Sequence, residues 1–134
     1  MPQLGGARAP YSLRSISFPL PTLAALSGRA SLGGPRETAL GCLLVGRLIL
    51  DAAASPPLAS EARKGRAQHA RHWLGAATLA GPVRAALSRA VDASTGDRRQ
   101  AMSESLETVI AVTANDLDQA ARLELVKLAQ ALAE

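Results

Sequence analysis

Aromatic residues are nearly absent from this 134-residue chain, in which Tyr11, Phe18 and Trp73 are the only three. Runs of β-branched or aromatic residues that could form strands are also scarce, whereas alanine and leucine, the strongest helix formers, are abundant. The composition therefore predicts an all-α protein with an aliphatic core. A chain of this length has room for one domain. The scarcity of aromatics also leaves no platform on which single-stranded nucleic acid could stack its bases.

Cysteine is represented by Cys42 alone, which excludes an internal disulfide and a cysteine-based structural zinc site. Its neighbours are apolar, so we expect a buried, inert thiol. The chain has no Gly-x-Ser-x-Gly elbow, and its one phosphate-loop-like glycine spacing, at 28–33, lacks the lysine that reaches phosphates. We predict a non-enzymatic protein with no catalytic residues, cofactor or metal, and leave a spatially assembled active site as an alternative.

Acidic residues are missing from residues 1–35, which contain Arg8, Arg14 and Arg29 among prolines, glycines and serines. Proline and glycine at this density break regular structure. We predict two regions, a flexible or peripheral basic arm (1–35) and a helical domain (36–134). Transit peptides are also rich in arginine and poor in acids, although these prolines would interrupt their usual amphipathic helix. A targeting peptide remains the alternative to a cytoplasmic protein with an N-terminal arm, and the order of the arm stays open.

The most apolar stretch, residues 39–50, contains Arg47 as its single polar side chain. A helix that is apolar on nearly every side has to be buried. The stretch is well short of the roughly 20 apolar residues that a membrane span needs, so we predict no integral membrane span. A subunit held at a membrane surface remains an alternative. We expect this helix to be the centre of a small bundle.

Three or four further helices are predicted around it, giving a bundle of four to five. The first covers about 58–79, with an apolar stripe at Leu58, Ala62, Ala70, Trp73, Leu74 and Ala77. The next begins at Gly81-Pro82 and ends at Thr95-Gly96. Its apolar face repeats with helical spacing at Val83, Ala86, Leu87, Ala90 and Val91.

Residues 98–133 form either one long helix or two, and we favour a break near Ala114. Asp97 and Thr113 are the candidate N-caps, because each is followed three residues later by Gln100 or Asp116. The final segment carries an apolar stripe that is wide enough to contact two neighbours or another subunit. Its side chains are Leu117, Ala121, Leu125, Leu128 and Leu132, widened by Leu123 and Val126.

This wide stripe suggests a helical protein–protein interaction module, such as a small subunit or adaptor that binds a protein partner or a second copy. The candidate interaction surface consists of Leu117, Leu123, Val126 and Leu128. Exposure of Leu123 and Val126 in the single chain would support this hypothesis, and full burial would remove its main motive. The partner, the pathway and the oligomeric state are not encoded in any recognisable motif.

Charge is distributed unevenly, which suggests an alternative function. Residues 1–90 contain eleven basic and three acidic side chains, a net charge of +8, whereas residues 91–134 have a net charge of −4. The densest basic segment could bind nucleic-acid phosphates through Arg63, Lys64, Arg66 and Arg71. Equally, the basic and acidic parts could attract each other. His69 and His72 lie one turn apart, but zinc needs three or four ligands, so we expect ordinary surface histidines.

Overall fold

A computed structural model of the protein describes residues 11–21, 34–54 and 56–134. These ranges contain five α-helices and one 3-10 turn, Leu13–Ser15, and no strand. The prediction of an all-α bundle is confirmed, with a helix number at the upper end of the predicted range. The helices are α1 (Gly34–Ala53), α2 (Ser60–Ala76), α3 (Gly81–Ser94), α4 (Arg99–Val112) and α5 (Gln119–Ala133).

Helix α1 is the centre of the bundle and packs against each of the other four helices. Its apolar side chains are buried or half-buried along the whole helix, as the sequence predicts. Two glycines allow neighbours to approach its backbone closely. A Cβ atom at Gly41 would lie 2.8 Å from Leu87 and 3.1 Å from the Trp73 ring, and one at Gly46 would lie 2.8 Å from the Phe18 ring. The Trp73 ring therefore packs directly on the α1 backbone at Gly41 and anchors α2 there, as expected.

Helix α3 has the predicted amphipathic pattern, since all five side chains of its apolar face are buried. The predicted stripe on α2 is wrong in its first turns, because Ala62 is exposed and Ala67 is buried. Near the start of α2 the side chain that lies against the neighbouring helices is Arg63, which is only 13% exposed. An apolar pattern could not identify a helix that begins its buried face with an arginine.

Helices α4 and α5 are separate, which confirms the predicted break near Ala114. Thr113 ends α4 as its C-cap and donates a 2.6 Å hydrogen bond to the Val109 carbonyl oxygen. The N-cap of α5 is Asp118, whose carboxylate accepts a 2.8 Å hydrogen bond from the Ala121 amide. The prediction of Thr113 as an N-cap is therefore wrong, because an acid nearer to the helix can accept from its first free amides.

The predicted cap of α4 is also wrong, since the N-cap residue is Arg98, which makes no side-chain capping hydrogen bond. Asp97 instead faces α2, and one of its carboxylate oxygens lies 3.7 Å from the Arg63 guanidinium. The positive charge of Arg63 on α2 competes with the free backbone amides at the start of α4 for the Asp97 carboxylate.

The N-terminal segment 11–21 lies against the helices, and Ile16 and Phe18 belong to the core. Burial of the Phe18 ring against Gly46 offsets part of the entropic cost of ordering this segment, while the flexible or peripheral arm over 1–35 stays a prediction. The Ser17 amide also donates to the Glu124 carboxylate of α5 at 3.3 Å. Of the remaining residues of the predicted arm, 1–10 and 22–33 lie outside the described residues, and 34–35 form the start of α1.

Candidate functional surfaces

The basic residues of α2 are the candidates for phosphate binding, and the structure pairs most of them with acids of the same chain. Arg71 contacts Asp92 of α3 at 3.0 Å, and the two side chains are 47% and 69% exposed. Arg63 donates to the Leu58 carbonyl oxygen at 3.1 Å and also faces Asp97. These contacts join the basic and acidic parts of the chain, which was the alternative explanation of the charge asymmetry.

Arg66 takes part in a half-buried ion pair at the end of α1. Its guanidinium donates to the carboxylate of Asp51, which is 11% exposed and also lies 3.2 Å from the Nε of Arg47. One acid is thus shared by two arginines. Lys64 is exposed to solvent. Three of the four candidate cations are therefore engaged inside the chain, and a polyanion would have to compete with those contacts.

His69 and His72 are exposed on α2, as expected for surface histidines. Within the described parts of the chain, no group of three or more histidine, cysteine or acidic side chains is arranged to hold a metal ion.

Cys42 is buried in α1 with 1% exposure, which confirms the predicted buried thiol. Burial raises its pKa from 9.0 to about 12, the hydrogen bond with Thr113 opposes that rise, and the negative charge of Asp116 adds to it. The group is consequently a neutral thiol at pH 7 and lacks the thiolate character of a nucleophile.

The four residues of the predicted interaction surface fall into two classes. Leu117 and Leu128 are 7% and 0% exposed and belong to the core of the single chain, so they cannot contribute to a surface. Leu123 is 43% exposed, and Val126 is half-buried. The stripe on α5 is wide because it serves both the core and the outside of the bundle.

Val126 lines a groove of about 260 Å³ between α4 and α5, which we call the α4–α5 groove. The other lining side chains are Glu107, Ile110, Ala129, Gln130 and Ala133. Leu123 precedes Val126 by three residues on α5, so it lies next to the groove on the same side of the helix. The sequence pattern identified Leu123 and Val126 but not the α4 side of the groove.

Helices α4 and α5, which form the α4–α5 groove, are held together by side chains of α4 that bond to the α5 backbone. Ser103, buried on α4, donates to the Ala129 carbonyl oxygen at 3.0 Å. Arg99, at the start of α4, donates to the Ala131 carbonyl oxygen at 2.8 Å. Hydrogen bonds from buried or charged donors to carbonyl oxygens fix the separation of two helices, so the groove is a preformed feature of the bundle.

A larger cleft of about 630 Å³ lies where the 3-10 turn, the end of α1 and the end of α5 meet. We call it the arginine cleft, because three of its lining residues are Arg14, Arg47 and Arg99. The residues that line the cleft come from widely separated parts of the chain, so no local sequence motif indicates it. Its remaining lining residues are Ser12, Leu13, Leu50, Asp51, Ala54, Ala131 and Glu134.

Comparisons of the chain with protein-family models, with curated proteins and with solved structures found no match. Among the described helices, none has both the length and the apolar character required to cross a membrane. Functional inference therefore rests on the surfaces of the bundle itself.

Proposed function

We propose that this protein is a non-enzymatic interaction module that binds an amphipathic helix of a partner protein in the α4–α5 groove. The observation that carries the proposal is the 43% exposure of Leu123 beside a groove lined by Ile110, Val126, Ala129 and Ala133. Helix-in-groove recognition uses apolar anchors at positions i, i+3, i+4 and i+7 of the bound helix. A preformed groove with an apolar floor is suited to such anchors.

The charges around the groove define the chemistry of the bound helix. Glu107 lines the groove, and Glu104 is exposed one turn earlier on α4. A partner with lysine or arginine beside its apolar row would place those cations near these carboxylates. Complementary charge at the rim of an interface mainly increases the association rate and the specificity. The occupant that fits the groove is therefore an amphipathic helix with a basic flank.

Nucleic-acid binding through α2 is less well supported than this proposal. Arg63, Arg66 and Arg71 each contact an acid of the same chain. Each of these arginines would have to exchange a carboxylate for a phosphate, which reduces the net free energy gained from a phosphate contact. The surface of α2 is thus better explained as a charged face that helps to hold α2 against its neighbours.

The test uses two designed helical peptides that share an apolar row and differ only in their flanking charges, lysine in one and glutamate in the other. Fluorescence anisotropy with the full-length protein should show tighter binding of the lysine peptide. Leu123→Glu should weaken that binding by at least about tenfold, which corresponds to ~1.4 kcal/mol. Glu107→Lys should reduce the preference for the lysine peptide.

Leu20→Glu provides a matched control, because Leu20 is a leucine with 52% exposure that does not line the groove. This variant should bind the lysine peptide as the wild type does. The proposal fails if neither peptide binds, or if Leu20→Glu weakens binding as much as Leu123→Glu. Native mass spectrometry of the same samples tests for another occupant. A dimer that Leu123→Glu dissociates would assign the groove to a second copy of the chain and overturn the proposal of a partner helix.

A further inference from the structure

The arginine cleft combines a surplus of positive charge with an apolar lining. Arg14, Arg47 and Arg99 line it together with two carboxylates, Asp51 and Glu134. Asp51 is already paired, since Arg47 and Arg66 both contact it. Among the side chains that line the cleft, three guanidinium groups face two carboxylates. The imbalance leaves one positive charge to be compensated by something other than these side chains, and Arg66 supplies further positive charge to Asp51 from outside the cleft.

The arginines differ in how fully their hydrogen-bonding capacity is used. Arg99 commits one terminal nitrogen to the Ala131 carbonyl oxygen at 2.8 Å. Arg14 is exposed at the last position of the 3-10 turn. Because a guanidinium carries five N–H donors in a planar fork, each of these side chains retains donors for an anion. Paired donors in this arrangement match the oxygens of a phosphate or a carboxylate.

The rest of the cleft is apolar and large enough for an organic molecule. Leu13, Leu50, Ala54 and Ala131 contribute aliphatic surface to its lining. The volume of about 630 Å³ falls within the range of small-molecule sites, roughly 300–1,000 Å³. A ligand with a charged head and an apolar body would satisfy both parts of this surface.

We propose that the arginine cleft binds a small phosphate monoester, with its doubly charged phosphate held by Arg14 and Arg99 and its organic part against the aliphatic residues. A phosphate monoester presents three terminal oxygens to the N–H donors of two arginines, whereas a single carboxylate presents only two. The site is separate from the α4–α5 groove, so the two proposals can fail independently.

Isothermal titration calorimetry of the full-length protein tests the proposal with three related probes: phenyl phosphate, benzoate and benzyl alcohol. Phenyl phosphate should bind most tightly and benzyl alcohol most weakly. Arg14→Gln should weaken the binding of phenyl phosphate by about tenfold, the loss expected for one charged hydrogen-bonding contact. Glu134→Gln should tighten it, because that change removes an opposing negative charge. Both residues are exposed, so neither change should disturb folding.

Arg89→Gln is the control for a general effect of charge, since Arg89 is exposed on α3 and does not line the cleft. It should leave the affinity for phenyl phosphate unchanged. Equal binding of phenyl phosphate and benzyl alcohol would overturn the proposal, and so would equal losses from Arg14→Gln and Arg89→Gln. Tighter binding of benzoate than of phenyl phosphate would overturn the assignment of a doubly charged ligand.

Discussion

Replacing Gly46 by alanine should destabilise this protein, although the same change in most helices is stabilising. Alanine is more favourable than glycine inside a helix by about 1 kcal/mol. At Gly46, however, the new Cβ would lie 2.8 Å from two carbon atoms of the Phe18 ring. Overpacking of this kind costs about 1–3 kcal/mol. The two effects together predict a loss of about 0–2 kcal/mol in the free energy of unfolding.

Truncation of Phe18 should reverse the sign of the effect of Gly46→Ala on the free energy of unfolding. In a Phe18→Ala background the ring is gone, and Gly46→Ala should stabilise by about 1 kcal/mol. The coupling free energy between the two positions is therefore about 1–3 kcal/mol. Phe18→Ala alone should cost about 3–5 kcal/mol, so Phe18→Leu is the milder background if the alanine variant is too unstable.

Urea unfolding followed by circular dichroism gives the free energies of the four members of this cycle. Gly65→Ala on α2 is the matched control, because nothing lies within 4 Å of a Cβ at Gly65. It should stabilise by about 1 kcal/mol in every background. A Gly46→Ala variant that stabilises the wild type as much as Gly65→Ala does would refute the contact, and with it the packing of segment 11–21 on α1.

Four further changes test individual interactions by the same unfolding measurements. Arg84 donates to the Leu74 and Ala77 carbonyl oxygens at the end of α2, so Arg84→Met should cost about 1.5–3 kcal/mol. Asp118→Ala should cost about 1 kcal/mol by removing the cap of α5. Asp97→Ala should change stability little, because the Asp97 side chain is 93% exposed and Arg63 keeps its hydrogen bond to the Leu58 carbonyl oxygen. The pKa of Cys42 rises from 9.0 to about 12 on folding. Because the unfolded chain releases this proton first, the stability from Cys42 should be complete below pH 9 and fall as the pH rises toward 12, and Cys42→Ala should remove that part of the pH dependence.

Hydrophobic periodicity was sufficient for the parts of the fold in which one helix face meets the core. The apolar face of α3 and the central position of α1 follow directly from their patterns, because burial of aliphatic side chains dominates their packing. The break near Ala114 was also predictable from turn and cap residues, although the capping acid is Asp118. Local patterns of this kind carry no information about which charged side chain reaches a neighbouring helix.

Most of the features that escaped prediction depend on contacts between residues that are distant in the sequence. Arg63 occupies an inward position on α2 because Asp97 and the Leu58 carbonyl oxygen receive it. Phe18 enters the core because Gly46 leaves space for its ring. The arginine cleft joins the N-terminal segment to the ends of α1 and α5. The α4–α5 groove was partly predictable, since the width of the α5 stripe indicated surplus apolar surface at Leu123 and Val126.

The central position of α1 has a consequence for the way in which the chain is made. A ribosome adds about 5–20 residues per second, so α5 follows α1 by several seconds. During this interval α1, which contacts each of the other four helices in the folded chain, has been synthesised before most of the side chains that bury it. Nascent chains that lack α4 and α5 should therefore be substrates for chaperones that recognise exposed aliphatic helices. Synthesis of α5, rather than of α1, ends the exposure of the aliphatic side chains of α1.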